Sequence, residues 1–232
     1  MKLRVGGLVP LSATDYPDQL AAVVFCQGCP WRCGYCHNPH LLPRNGRDEM
    51  PWDAVEAFLG RRRGLLDAIV FSGGEPTLHR GLADAMRAVK SMGYKVGLHT
   101  AGIYPRRLET VLPLVDWVGM DVKAPFHRYG EITGSSGSGE RARQSVRLVV
   151  ESGVACEFRT TVHAGLLSQQ AIVEICEALV AMGARHYALQ EYRPAACTAD
   201  ALFPAARHLP DKPLCDRLAA RFDSLVIRRA AA

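Results

Sequence analysis

No stretch of the 232-residue chain approaches the roughly 18 consecutive apolar residues of a membrane span. The N-terminus also lacks the unbroken apolar segment of a secretory leader, because Asp15 and Asp18 interrupt it. A cytoplasmic protein with no membrane partner is expected, and in that compartment cysteines serve metal binding or catalysis more often than disulfides. Charge of one sign is scarce as well. The net charge is +5, and Arg61-Arg62-Arg63 is the only tight basic run. It falls where a helix should end, and cations suit that end of the dipole. No aromatic interleaving or binding motif accompanies it, so no nucleic-acid partner is expected. Long linkers are missing too: residues 134–139, Gly-Ser-Ser-Gly-Ser-Gly, are too short to separate domains and read as a flexible surface loop. With 48% hydrophobic and 22% charged residues, residues 1–232 suit one α/β domain.

Cysteine is what the chain has in concentrated form. Four of its eight cysteines, Cys26, Cys29, Cys33 and Cys36, fall within eleven residues. The last three read C-x3-C-x2-C. Thiolates so spaced on a short loop can converge on one metal centre, and soft sulfur suits iron–sulfur clusters or zinc. Zinc sites more often use two C-x2-C knuckles, and no second pair follows here. Three thiolates suggest a cubane cluster with one iron free of protein sulfur; a zinc loop is the alternative. A solvent-facing cysteine cluster is disfavoured because thiols at this density would oxidise. Cys26 reads as a buried strand-end thiol, since a fourth thiolate would close the open iron. Cys156 and Cys176 fit apolar faces and read as core. Cys197 and Cys215 have no evident pairing.

Along the chain, residues 1–20 are turn-rich and suggest a small hairpin, and residues 41–50 read as a polar connection. Short apolar runs predict strands at 21–25, 68–71, 95–100, 115–122, 156–162, 187–190 and 225–227. Helical spacing, with Pro51 at a first turn and Gly64, Gly93, Gly153 and Gly183 as stops, predicts helices over 51–63, 81–92, 105–112, 140–152, 168–182 and 211–222. Strands alternating with helices imply a parallel sheet of βαβ units. The pattern fits an open doubly wound sheet or a partial barrel. Both put functional groups at the C-terminal ends of strands.

The strand ends carry the chemistry-bearing residues. Ser72-Gly73-Gly74-Glu75 offers bare backbone to a ligand, and a side chain at Gly74 is expected to block that approach while sparing the cysteine loop. A tight strand-to-helix turn would need the same glycines. Thr100 ends the next strand. Asp121 and Lys123 alternate onto one side, as a ligand pair or a simple ion pair. Arg159 can grip a carboxylate bidentately. His163 follows on the same strand, and Gln190 ends another.

The cysteine loop, with aromatic Tyr35 before Cys36, resembles the C-x3-C-x-φ-C signature of radical S-adenosylmethionine (radical SAM) enzymes. Asp15-Tyr-Pro, Cys36-His-Asn-Pro, Ser72-Gly-Gly-Glu-Pro-Thr, Met120-Asp-Val-Lys and Glu157-Phe-Arg-Thr-Thr extend the resemblance, over about residues 3–193, to activating proteins of anaerobic ribonucleoside-triphosphate reductase. The resemblance favours a partial (β/α)6 TIM-like barrel, with its core at about 20–193 and a C-terminal extension over 194–232. It implies a [4Fe-4S] cluster on Cys29, Cys33 and Cys36. It also implies S-adenosylmethionine held around Tyr35, His37, Gly73, Gly74, Glu75, Thr100, Asp121, Lys123, Arg159 and Gln190. Within that set, the Gly-Gly-Glu motif is implied to take the methionine amino group, the Asp121/Lys123 pair its amino and carboxylate ends, and Gln190 the adenosine. Ala101, His163 and Ala164 depart from the family pattern. The implied reaction is reductive cleavage to methionine and a 5′-deoxyadenosyl radical, which installs a glycyl radical on a partner enzyme. Anaerobic ribonucleotide reductase is the expected partner, with flavodoxin or ferredoxin as external one-electron donor. A radical SAM enzyme acting on a small molecule, or a non-catalytic iron–sulfur or zinc protein, are the alternatives.

Overall fold

The computed structural model describes residues 3–163, 165–193 and 209–229. Ala164, Cys197 and the rest of residues 194–208 lie outside them, as do 1–2 and 230–232. Eight strands form one sheet in sequential order: β1 (Val5–Ser12), β2 (Ala21–Cys26), β3 (Ala68–Gly73), β4 (Lys95–Thr100), β5 (Trp117–Asp121), β6 (Ala155–Val162), β7 (His186–Glu191) and β8 (Ser224–Arg228). β1 runs antiparallel to β2, and every later pair is parallel. Helices α1 (Trp52–Gly60), α2 (Leu82–Ser91), α3 (Pro105–Val111), α4 (Tyr129–Thr133), α5 (Ser138–Ser152), α6 (Gln169–Ala181) and α7 (Lys212–Ala219) fill the crossovers.

Sequential order decides between the two architectures open to the sequence. A doubly wound sheet reverses direction at a switch point. Here no reversal occurs, and all seven helices feed apolar residues into one cluster with the outward strand residues. Val55, Met86, Leu108, Val146, Ile175 and Leu218 pack there with Val24, Phe71, Leu98, Met120 and Phe158. The inward strand residues Ala21, Val23, Ala68, Val70 and Trp117 form a second, smaller cluster with Tyr16 of the β1–β2 connection. This is a partial (β/α)6 barrel, with six strand–helix units capped by β8 and edged by β1. Among the described residues no helix is long and apolar enough to cross a membrane.

Three expectations need correction. The N-terminal segment is no self-contained hairpin: despite Gly6, Gly7 and Pro10, residues 5–12 are a full strand on β2. α1 stops at Gly60, four residues before Gly64, and Arg62 lies over the Phe58 ring at 5.2 Å. Residues 134–137 form a surface turn, but the expected loop over 134–139 ends early. Ser138 and Gly139 are buried in the first turn of α5, where Thr133 Oγ1 donates to Ser138 Oγ at 2.8 Å and a Cβ at Gly139 would collide with the Phe126 carbonyl. Small residues stand there because two backbones meet.

Candidate active site

The cysteine loop leaves β2 at the C-terminal end of the parallel strands and is tied down on both sides. Gly28 N–H donates to the Leu41 carbonyl at 2.8 Å and Cys29 N–H to that of Leu42 at 3.2 Å. The Gln27 amide donates to Pro43 and His40 carbonyls at 2.7 and 3.2 Å. Residues 41–43 are therefore a brace for the loop, and Leu41 is 1% exposed. On the other flank, Arg32 and Gly34 N–H groups donate to Thr133 and Ile132 carbonyls of α4.

Held this way, Cys29, Cys33 and Cys36 open onto one shared cavity. All three are free thiols. Burial pushes the Cys29 thiol up to about 12, helped by the nearby Glu75 carboxyl. Burial also raises Cys33, against the pull of Lys123. Thiol protons must therefore leave when metal binds. Among the described residues no three His, Cys, Asp or Glu side chains stand close enough to share one ion. Cys26 faces the other way, fully buried in the helix-side core.

The same cavity gathers most of the residues expected from the sequence. Tyr35, His37, Gly73, Gly74, Thr100, Asp121, Lys123 and Arg159 all line the cavity, with Trp31, His99 and Ala101. Trp31 Nε1, Tyr35 Oη and His37 Nε2 are buried without a hydrogen-bond partner, as in a site built to receive a polar ligand. Lys123 Nζ donates to Asp121 Oδ2 at 2.9 Å and lies 5.7 Å from the Tyr35 ring centre. Burial alone would raise the Asp121 carboxyl, but Lys123 and then Arg159 outweigh it and hold it low. Tyr129 locks this strand end: its hydroxyl accepts from Lys123 N–H at 3.0 Å and donates to the Asp121 carbonyl at 3.3 Å.

Glu75 and Gln190 are not on the wall. Glu75 is fully buried and its carboxylate is occupied. It accepts from Thr77 N–H and Oγ1 at 3.1 and 2.6 Å, from Thr100 Oγ1 at 2.7 Å and from Ala101 N–H at 3.0 Å. The glutamate ties the β3 loop to the end of β4 and presents no oxygen to the cavity. Gln190 sits in β7 between Thr161 and Arg228 in register, outside the wall. Gly74 has a different constraint from the one expected: a Cβ there would strike the Gly28 carbonyl and come 2.9 Å from that of Leu41, so a side chain would push on the cysteine loop itself. Its N–H donates to the Cys26 carbonyl at 2.9 Å.

Arg159 is held by residues to which the sequence assigned no role. Its Nε donates to Glu157 at 2.8 Å, and its guanidinium lies 4.9 Å from the Trp117 ring centre. Nη1 is 3.2 Å from His99 Nε2. Burial, then Arg159, pushes His99 down to about 4, so it is neutral at neutral pH. Inward alternation with Gly97, Gly119 and Asp121 was the available signal for His99 and Glu157. His163 stands apart from the wall, buried with its ring 4.6 Å from that of Tyr192, which also stacks on His37 at 5.7 Å.

A family model described as Radical SAM superfamily matches residues 23–179. A Methanocaldococcus jannaschii protein, assigned by its name as a glycyl-radical enzyme activating enzyme, is 32% identical over 201 residues, covering 84% of this chain and 82% of its own. The pyruvate formate-lyase-activating enzyme of Clostridium pasteurianum is 32% identical over 125 residues, 52% of each chain. Streptococcus suis SuiB bound to S-adenosylmethionine shares the fold at TM-score 0.67 and 15% identity, over 89% of this chain and 49% of SuiB.

Proposed function

The chain belongs to the radical SAM superfamily, and from that premise we propose that it is an activating enzyme that installs a glycyl radical on a partner enzyme, anaerobic ribonucleoside-triphosphate reductase. The family implies a [4Fe-4S] cluster and S-adenosylmethionine. The residues present fit both: three free thiols share a cavity with bare glycine backbone, an Asp–Lys pair and orphaned polar atoms. This convergence is the observation that carries the reading.

In this reading Cys29, Cys33 and Cys36 each hold one iron. Gly73 and Gly74 present backbone to the methionine end of S-adenosylmethionine, and Glu75 fixes the wall they stand on. Asp121 and Lys123 meet its amino and carboxylate groups, with Arg159 beside them. Thr100, Tyr35 and His37 supply the nearby polar contacts. When bound, the cluster and S-adenosylmethionine supply the electron and the carbon-centred radical that takes a hydrogen atom from the partner's glycine. An external one-electron donor, a flavodoxin or ferredoxin, provides the reducing equivalent in the cytoplasm. The protein's part is to orient the cofactor and to keep water out. Among the described residues the sheet's first and last strands, β1 and β8, pair only on one side, which leaves a flank through which a peptide loop can enter.

The test mixes reduced, reconstituted protein with S-adenosylmethionine and the candidate reductase without oxygen. A glycyl doublet by electron paramagnetic resonance, with matching 5′-deoxyadenosine, is expected. Formation of 5′-deoxyadenosine with no glycyl signal on any co-encoded glycyl-radical enzyme would shift the reading to a small-molecule substrate.

A further inference from the structure

Glu157, on the inner face of β6, is claimed from two sides. Arg228 of β8 forks onto both of its oxygens, Nη1 to Oε1 at 2.7 Å and Nη2 to Oε2 at 2.9 Å. Arg159 Nε reaches Oε1 at 2.8 Å. The Glu157 and Arg159 side chains are only 11% and 9% exposed, so neither charge is screened well by water. A lone Arg159–Glu157 pair would be neutral. With Arg228 added, one carboxylate serves two guanidiniums, and among the described residues one positive charge is left over.

That surplus has a direction. Arg159 is clamped along its edge by Glu157 and over Trp117, and it lines the cavity. Gly119 leaves the room it needs, since a Cβ there would come 2.8 Å from Arg159 Cζ. His99, on the adjoining wall, contributes no charge at neutral pH, and Lys123 already neutralises Asp121. Asp15, at the far end, lies 3.9 Å from His99 and accepts from Ser12. Arg228 lies outside the matched residues 23–179.

We propose that Arg228 is a positioning residue: by sharing Glu157 it frees part of the Arg159 charge for the carboxylate of a ligand in the cavity. β8 is then part of the binding apparatus as well as the last strand of the sheet. This role rests on the cavity being the S-adenosylmethionine site proposed above.

The experiment measures equilibrium binding of S-adenosylmethionine, and of its decarboxylated analogue, to the anaerobically reconstituted full chain. Arg228→Ala should weaken S-adenosylmethionine binding about tenfold, the size of a charge-assisted hydrogen bond, and leave the analogue's affinity and the iron content unchanged. Arg228→Lys, which keeps the charge, should recover most of the loss. Equal losses for both ligands, or none for either, overturn the role of Arg228. A wild-type protein that holds its cluster but binds no S-adenosylmethionine overturns the reading of the cavity as well.

Discussion

Along β3 to β6 the outward residues Phe71, Leu98, Met120 and Phe158 are all fully buried beneath helices. Their inward neighbours Ser72, His99, Asp121 and Arg159 line a cavity. A parallel sheet covered on both faces reads as continuous apolar runs. Here that holds for the early part of the strands, where Val23, Val70 and Trp117 close the barrel floor, and fails at the C-terminal ends. The outer face can therefore stay mainly apolar and supply stability, with the buried Thr160 hydrogen-bonded to Val122 and Tyr187, while the inner face changes from packing to chemistry along each strand. Damage to the two faces should register in different measurements.

The largest effect tests which thiols belong to the inner site. Alanine at Cys29, Cys33 or Cys36 should abolish the cluster absorbance of reconstituted protein, and serine at Cys26, on the outer face, should keep it. A Cys26→Ser variant without cluster, beside a triad variant that retains it, would put the division of the faces in the wrong place. Gly74→Val comes next. Because a side chain there meets the Gly28 and Leu41 backbone, it should lower iron content as well as S-adenosylmethionine binding. Full iron content with binding alone impaired would show that the loop yields freely.

Phe71→Ala and Asp121→Asn set one face against the other. The first should cost about 3–5 kcal/mol in denaturant unfolding, by leaving a cavity under the helices, and should leave cofactor affinity intact while the protein stays folded. The second should weaken S-adenosylmethionine binding roughly tenfold with little change in the unfolding midpoint. Matching effects on both readouts for both variants would abolish the distinction.

The smallest effect is a slope. Burial would raise the Glu157 carboxyl, but Arg228 and Arg159 overcome it and hold it below the usual range. A depressed folded value means that the stabilisation is complete above the ordinary glutamate pKa of about 4.3 and is lost as pH falls through the folded value. Thermal unfolding followed from neutral pH down to about pH 3 should decline less steeply in Glu157→Gln than in wild type. Identical slopes would show that Glu157 is not held ionised by its neighbours.

Much of the site was legible because it is local. The thiol spacing, the glycines after Phe71 and the alternation of Asp121 with Lys123 each lie within a few residues of chain. The antiparallel β1 was obscured by Gly6, Gly7 and Pro10, which suit turns, and became a strand only because β2 offers it a partner edge. The short α4 and the buried start of α5 were hidden in Gly- and Ser-rich sequence that reads as solvent-exposed.

By itself the sequence determined the alternation of strands and helices from β2 onward, α4 apart, the loop that carries three thiols, and which residues stand at strand ends, because periodicity and spacing are properties of neighbouring residues. Only the tertiary structure decided that Glu75 turns its carboxylate into the wall and that Tyr129 locks the Asp121–Lys123 strand end. It alone joined Arg228 to Glu157 across 71 positions. Contacts of that kind depend on sheet register and on which backbones approach closely, and no local pattern encodes either.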